Sequence, residues 1–143
     1  MMRQWMRGLL AMMLSVGIGA ATVSAETFSS EEELNRYVSS VSLASDQAMF
    51  IVRSLHPNII DLEFYADARK HAWPGGNQVY TVKDSHWHTY ILNCRRGEKI
   101  CYGAGVRGSY NKYWGVGINR RANCSECCYT CNGKTSKLIT LRP

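Results

Sequence analysis

The chain has 143 residues, 45% of them hydrophobic and 20% charged, with a formal net charge of +6. This length allows one small domain with a modest core and excludes a second domain of useful size. The charge is uneven, because residues 69–143 hold thirteen Lys or Arg and three acids. A basic half of this kind predicts an anionic partner, or packing against the acidic residues 26–68 of the same chain.

The first 25 residues have the pattern of a secretory signal peptide. Arg3 and Arg7 precede an apolar stretch, and residues 23–25 are small, as signal peptidase requires, so cleavage is predicted after Ala25. A membrane anchor is the alternative, but the stretch is short and interrupted by glycine. The sequence therefore predicts a mature domain, residues 26–143, that lies in the periplasm or is secreted and has no integral membrane span.

A short helix is predicted near the start of the mature chain. Ser30 and Glu33 have the spacing of a capping box, and the acidic residues between them suit the positive end of the helix dipole. Apolar residues then follow at helical spacing, and the helix should end near Ser40. This helix defines an N-terminal segment, residues 26–45, ahead of a β-rich core, residues 46–143.

Short strands separated by turn residues are predicted for the rest of the chain. Two apolar runs, 48–52 and 59–65, flank the turn sequence of residues 56–58, a pattern typical of a β-hairpin. Further strands are predicted at 78–82, 86–94, 99–106, 113–118 and 138–141. This spacing predicts a mainly β fold, a small antiparallel β-sandwich or barrel-like domain stapled by disulfides.

All six cysteines lie between residues 94 and 131, and in an oxidising compartment an even number predicts disulfides. If Gly97-Glu98 is a two-residue turn, the strands on either side form a hairpin. Cys94 and Cys101 then face each other at a distance that a disulfide can span. The alternative is that both cysteines point at the C-terminal cluster and tie the hairpin to it.

The other four cysteines form the cluster Cys124-Ser-Glu-Cys127-Cys128-Tyr-Thr-Cys131. On a helix they would form one stripe with spacings too wide for a disulfide, so bridges within the cluster require a loop. With a Cys94–Cys101 bridge, two pairings stay open. They are 124–127 with 128–131, and 124–128 with 127–131.

The same cluster offers thiolates for a soft metal ion, because two C-x-x-C units lie side by side. Zinc ribbons separate their two units by a long spacer, which is missing here, so disulfides are favoured and no cofactor is expected. The alternative is a periplasmic protein that handles copper or zinc. Its ligands would be Cys124, Cys127, Cys128, Cys131, His86 and His88.

Aromatic and basic residues alternate between positions 107 and 121. Such residues can stack on sugars or lie at a membrane interface. They predict a surface that binds an anionic envelope component or another protein, whereas nucleic acid is not expected. The residues are Arg107, Lys112, Tyr113, Trp114, Arg120 and Arg121.

No residue set predicts catalysis. The chain has no Ser-His-Asp ordering, nucleophile elbow or phosphate-binding loop, and Asp84 and Glu98 are isolated acids rather than a matched pair. The sequence therefore predicts a non-enzymatic binding module.

The run Cys94-x-x-Gly-Glu-x-Ile-Cys-Tyr-Gly-Ala, followed by Trp114-Gly-Val-Gly and the C-x-x-C-C-x-x-C cluster, resembles a group of small exported bacterial proteins with no assigned activity. Phe64-Tyr65, Arg69 and Ala72-Trp-Pro-Gly belong to the same pattern, which covers about residues 60–133. The resemblance implies an exported domain stapled by cysteines, and it brings no catalytic residues.

Overall fold

The computed structural model describes residues 24–143, which form two stacked β-sheets with one α-helix on the outside. The elements are β1 (Ser24–Phe28), α1 (Glu31–Ser40), β2 (Gln47–Ser54), β3 (Ile60–Ala66), β4 (His71–Trp73), β5 (Tyr80–Val82), β6 (Trp87–Asn93), β7 (Lys99–Val106), β8 (Ser109–Gly115), β9 (Cys128–Thr130) and β10 (Thr135–Leu141). The predicted mainly β class is confirmed. Within this part of the chain, no helix has the length and hydrophobicity needed to cross a membrane.

The first sheet has the strand order β1-β6-β2-β10, and the second has the order β4-β3-β7-β8. Strand β5 also pairs with β3, and β9 also pairs with β7. Among the described strands, every pair is antiparallel except β2 with β10, which run parallel. The one parallel pair arises because the chain enters β10 from the second sheet instead of through a hairpin from β2.

Both predicted hairpins are wrong, although their strands exist. Strand β2 belongs to the first sheet and β3 to the second, so residues 55–59 cross from one sheet to the other. Strands β6 and β7 are divided in the same way, and residues 94–98 make the second crossing. The N–H of Gly97 donates to the carbonyl oxygen of Cys131 at 2.7 Å, so the end of β9 holds this turn.

The core explains why these strands face each other across the sandwich. Alternate side chains of both sheets point into the space between them, where the rings of Phe50 and Phe64 lie 4.6 Å apart. Burying a large apolar side chain of this kind stabilises the fold by about 1.5–3 kcal/mol. The fully buried members include Phe50, Val52, Ile60, Leu62, Phe64, Leu92, Ile100 and Leu141.

Strand β2 is buried on both faces, and its apolar run is therefore unbroken. Met49 and Ile51 point away from the central core and pack with Leu34 of α1. The predicted cap of this helix is confirmed, because the hydroxyl of Ser30 accepts a hydrogen bond from the N–H of Glu33 at 3.2 Å. The helix also ends at the predicted residue.

No sequence signal predicts β1. It pairs with β6 at the edge of the first sheet, and its residues up to Thr27 are exposed, so it lacks the apolar alternation of a half-buried strand. Ser24 and Ala25, which the sequence assigns to the signal peptide, belong to this strand. The rest of that predicted segment, residues 1–23, lies outside the described residues.

Candidate functional site

The outer face of the second sheet carries three buried polar side chains. Asp61, Glu63 and Tyr65 are alternate residues of β3 that point away from the core, yet their exposed fractions are only 3%, 7% and 8%. Opposite Glu63 on β7 lies Gly103. A Cβ atom at position 103 would overlap the carbonyl oxygen of Gly117. Because residue 103 has no side chain, the chain after β8 can lie directly on this face of the sheet.

Asp61 is neutralised within the protein. The guanidinium of Arg107 donates to its Oδ1 at 2.8 Å, and the hydroxyl of Tyr110 donates to its Oδ2 at 2.7 Å. The hydrogen bond to Asp61 raises the pKa of Tyr110. Arg107, which the sequence assigns to an anionic partner, is therefore held by a buried carboxylate of its own chain.

Within the described chain, Glu63 has a phenol partner but no cationic partner. The hydroxyl of Tyr65 donates to its Oε2, and the Tyr65 oxygen accepts the backbone N–H of Asn119 at 2.8 Å. Burial, and after it the bond to Glu63, raises the pKa of Tyr65 far above the ordinary tyrosine value, so the phenol stays protonated and donates. Across residues 24–143, Glu63 takes part in no ion pair.

Glu63 and Tyr65 lie at the floor of a cleft, which we call the Glu63 groove. It consists of two adjoining cavities of about 390 Å³ and 280 Å³ that share Tyr65 and Lys70. Its walls come from the β3–β4 and β4–β5 connections and from the short 3-10 turn Ile118–Arg120. The other lining residues are Ala66, Asp67, His71, Ala72, Pro74, Gly75, Gly76, Asn77, Asn119 and Arg120.

Left-handed backbone is concentrated around this groove. Four non-glycine residues of the described chain have positive φ angles, and all four line it: Lys70 (49°), Asn77 (59°), Asn119 (56°) and Arg120 (52°). Each such residue costs about 1–2 kcal/mol relative to ordinary backbone, and positions of this type cluster at binding sites. The Pro-Gly-Gly-Asn break is visible in the sequence, but nothing in the sequence says what it lines.

The rim of the groove carries charges of both signs. Arg120 forms an ion pair with Asp67. Partial desolvation, and after it the nearby guanidinium of Arg69, lowers the pKa of His71, so its imidazole is neutral at neutral pH. Among the described residues, the Lys70 ammonium takes part in no ion pair.

A second surface lies at the end of the sandwich where β2 and β10 finish. Trp114 organises it: its indole N–H donates to the carbonyl oxygen of Arg142 at 3.0 Å, and the His56 ring packs edge-on at 5.6 Å. The Lys112 ammonium lies 5.3 Å from the indole ring. We call this the loop-end surface, and its members are Leu55, His56, Ile59, Lys112, Trp114 and Arg142.

The loop-end surface combines exposed apolar side chains with positive charge. Leu55 and Ile59 are 38% and 40% exposed, although most large apolar residues of the described chain are buried. Segments 55–60 and 105–117 contain no acid, and the nearby Asp61 is buried against Arg107. Exposed apolar side chains beside polar and charged residues are typical of an interaction surface.

Three of the six predicted anionic-binding residues lie at or beside the loop-end surface. Lys112 and Trp114 belong to the loop-end surface, and the N–H of Arg107 donates to the adjoining Ile59 carbonyl oxygen at 2.9 Å. Sequence reasoning missed Leu55 and Ile59. They are exposed because the chain between β2 and β3 crosses from one sheet to the other at the end of the sandwich, and the sequence does not reveal this crossing.

The other three predicted residues lie elsewhere. Tyr113 and Arg121 approach Gly117 on the outer face of the second sheet, while Arg120 pairs with Asp67 at the Glu63 groove. Neighbouring residues of a strand point to opposite faces, so Tyr113 is separated from Trp114. The six residues therefore do not form a single patch.

The cysteines pair as Cys94–Cys131, Cys101–Cys128 and Cys124–Cys127. The predicted Cys94–Cys101 bridge is wrong, because their strands belong to different sheets. The alternative in which both cysteines are tied to the cluster is the arrangement found. Among the bridges considered within the cluster, 124–127 is present, whereas 128–131, 124–128 and 127–131 are not.

Metal binding by the cluster would require reduction of these bridges. His88 lies six residues from Cys94 along β6, about 20 Å away, so the imidazoles and sulfurs do not form one site. His88 instead bonds Asp84 at 2.7 Å, and His86 lies 3.8 Å from the same carboxylate. Within residues 24–143, no group of three or more His, Cys, Asp or Glu is arranged to hold a metal ion.

Comparison with known proteins finds no matching family model and no significant match among curated proteins or solved structures. The resemblance to exported bacterial proteins stays a prediction.

Proposed function

We propose that this protein is an exported, non-enzymatic binding module that acts at the bacterial envelope or outside the cell. The three disulfides support an oxidising compartment, where such bridges persist. The loop-end surface carries the proposal, because it combines exposed Leu55 and Ile59 with cations and no acid. Its partner in this proposal is an anionic surface of the envelope.

Both cations of the loop-end surface belong to residues that contact Trp114. Lys112 lies against the face of Trp114, and the backbone of Arg142 is fixed by the indole N–H. Each cation near an anionic lipid surface adds about 1 kcal/mol of attraction. Leu55 and Ile59 would add apolar burial at the headgroup boundary. Together these terms favour reversible docking on an anionic surface.

Sedimentation with lipid vesicles tests the proposal. The protein should bind phosphatidylglycerol vesicles at low salt, bind phosphatidylcholine vesicles much more weakly, and be released by added salt because charges are screened. The double variant Lys112→Gln with Arg142→Gln should bind phosphatidylglycerol at least tenfold more weakly, since two attractive charges are lost.

A matched control removes the same formal charge from the opposite end of the sandwich. Lys99 begins β7 and Lys134 precedes β10, and both are exposed. Their double change to Gln should have a much smaller effect than the loop-end change. Equal losses for the two double variants, or no binding of the wild-type protein to phosphatidylglycerol, would contradict the proposal.

A further inference from the structure

We infer that the Glu63 groove is a second binding site, separate from the loop-end surface, that takes a small zwitterionic amine such as a free amino acid or a short peptide. In this assignment the ammonium group of the ligand meets the Glu63 carboxylate and its carboxylate meets the Lys70 ammonium. The inference does not depend on docking at the envelope.

Asp61 and Glu63 are two buried carboxylates on the same face of the second sheet, and their partners differ. Asp61 and Glu63 are neighbours on the outer side of β3, both are more than nine-tenths buried, and each accepts a hydrogen bond from a tyrosine hydroxyl. Asp61 also has the guanidinium of Arg107 at 2.7 Å. Glu63 has no such cation among the described residues, and the groove opens at this carboxylate. A buried carboxylate without a cation is costly, so a cationic ligand group would gain most there.

Lys70 supplies the opposite charge. It lines both cavities of the groove, and its exposed ammonium forms no ion pair with Glu63 or with any other described acid. Lys70 directly follows the short 3-10 turn Asp67–Arg69, and its backbone is held there because its N–H donates to the Asp67 carbonyl oxygen at 3.2 Å. A carboxylate in the groove would be drawn to this ammonium.

The remaining charges at the groove are already compensated. Asp67 and Arg120 pair with each other, and the imidazole of His71 is neutral at neutral pH. Glu63 and Lys70 are therefore the two charges of this part of the chain that a ligand could complement. Both residues line one cavity of about 390 Å³, and they form no ion pair with each other. This arrangement favours a ligand that carries a positive and a negative group at separate positions.

The size of the groove limits the ligand. A cavity of about 390 Å³ is at the lower end of the range for small-molecule sites, about 300–1,000 Å³. Gly75 and Gly76 form part of its wall and leave the backbone accessible. An amino acid or a dipeptide fits these dimensions, whereas a long polymer would have to present its end.

Isothermal titration calorimetry with three related probes tests the charges separately. Glycylglycine has both charged ends, N-acetylglycylglycine lacks the ammonium, and glycylglycinamide lacks the carboxylate. The protein should bind glycylglycine at least tenfold more tightly than either blocked probe. Equal binding of glycylglycine and N-acetylglycylglycine, or no binding of glycylglycine at millimolar concentration, would overturn the inference.

Two variants assign each charge to its residue. Glu63→Gln keeps the bond from Tyr65 but should abolish the preference for the free amine, and Lys70→Met should abolish the preference for the free carboxylate. Lys83→Met is the matched control, because Lys83 is exposed and lies outside the groove. If Glu63→Gln fails to fold, the Lys70→Met variant still tests the inference, because residue 70 is exposed. Unchanged selectivity of Lys70→Met among the three probes would contradict the assignment.

Discussion

At the scale of single residues, one ion pair fixes the crossing between β6 and β7. The Arg69 guanidinium donates two hydrogen bonds of 2.8 and 2.9 Å to the Glu98 carboxylate, and the backbone N–H of Arg95 donates to the same carboxylate at 2.7 Å. The sequence treats Glu98 as an acid without a matching second acid, and it does not reveal this arginine partner. Its partner lies 29 residues earlier in the chain, and only the fold brings them together.

This pair predicts a pH-dependent stability. The hydrogen bond from Arg69, with smaller help from Arg95, lowers the pKa of Glu98 in the folded state. A lowered folded pKa adds stability that is fully present above the unfolded glutamate pKa of about 4.3 and is lost as the pH falls through the lower, folded value. Urea unfolding at about pH 7 and about pH 3 should therefore show a loss of stability in acid.

The variant Arg69→Met isolates this contribution. It should lower the free energy of unfolding by about 2 kcal/mol at neutral pH, because a hydrogen-bonded charge pair is lost, and it should flatten the acid dependence. Arg36→Met is the control, since Arg36 forms an exposed pair with Glu32 that should matter little. An Arg69 variant with the acid dependence of wild type would contradict the role of this pair.

The alternation of residues in a strand predicts which face of the sheet each side chain points to, but it does not predict whether that face is covered. The alternation in β3 correctly places Ile60, Leu62 and Phe64 on the core side, but it implies a solvated opposite face. Asp61 and Glu63 are buried there because β7 presents glycine beneath the chain that covers them. The residues over Asp61 and Glu63 lie 46 to 56 positions later in the sequence, so β3 alone does not reveal this burial.

At the scale of elements, most strands are predicted, although β1, β4 and β9 are not, and the partners of the strands are predicted poorly. Residues 94–98 could close a hairpin or cross the gap of about 10 Å between two stacked sheets, and strand periodicity is the same in both cases. Tertiary contacts decide between them, because Gly97 is bonded to Cys131 at the end of β9 and Glu98 to Arg69, and not to β6.

A tryptic digest without reduction distinguishes the two arrangements. Cleavage should give three cysteine peptides, covering 84–95, 100–107 and 122–134. The bridges of the structure join all three into one species, because Cys94 and Cys101 both bond to the C-terminal cluster. Mass spectrometry of the digest should detect this three-peptide species.

The same digest tests the other cysteine hypotheses. A Cys94–Cys101 bridge would instead link 84–95 to 100–107 and leave 122–134 alone. Copper or zinc handling would require free thiols in the cluster, which alkylation before digestion would label, together with bound metal. Either result would contradict the disulfide arrangement of the structure.

At the scale of the whole molecule, the three bridges differ in what they connect. Cys94–Cys131 joins the end of β6 in the first sheet to the end of β9 in the second, across 37 residues. Cys101–Cys128 joins two paired strands of one sheet. Cys124–Cys127 spans only three residues in a loop. Only the first bridge ties the two sheets directly.

These differences predict an order of stabilities. A bridge that closes a 37-residue loop should stabilise the fold by about 4 kcal/mol, and one across three residues by about 2 kcal/mol, because the longer loop removes more entropy from the unfolded chain. Denaturant unfolding should therefore show a larger loss for Cys94→Ser with Cys131→Ser than for Cys124→Ser with Cys127→Ser. Equal losses would mean that loop closure is not what the bridges contribute.

The sequence by itself determined the features that depend on neighbouring residues: the Ser30 cap, the helix to Ser40, the positions of most strands and the mainly β class. Periodicity and capping act within a few residues, so they can be read along the chain. Tertiary structure alone decided the sheet of each strand, the disulfide partners, the burial of Glu63 and the two surfaces. These features depend on contacts between distant segments, which form only when both sheets close over one core.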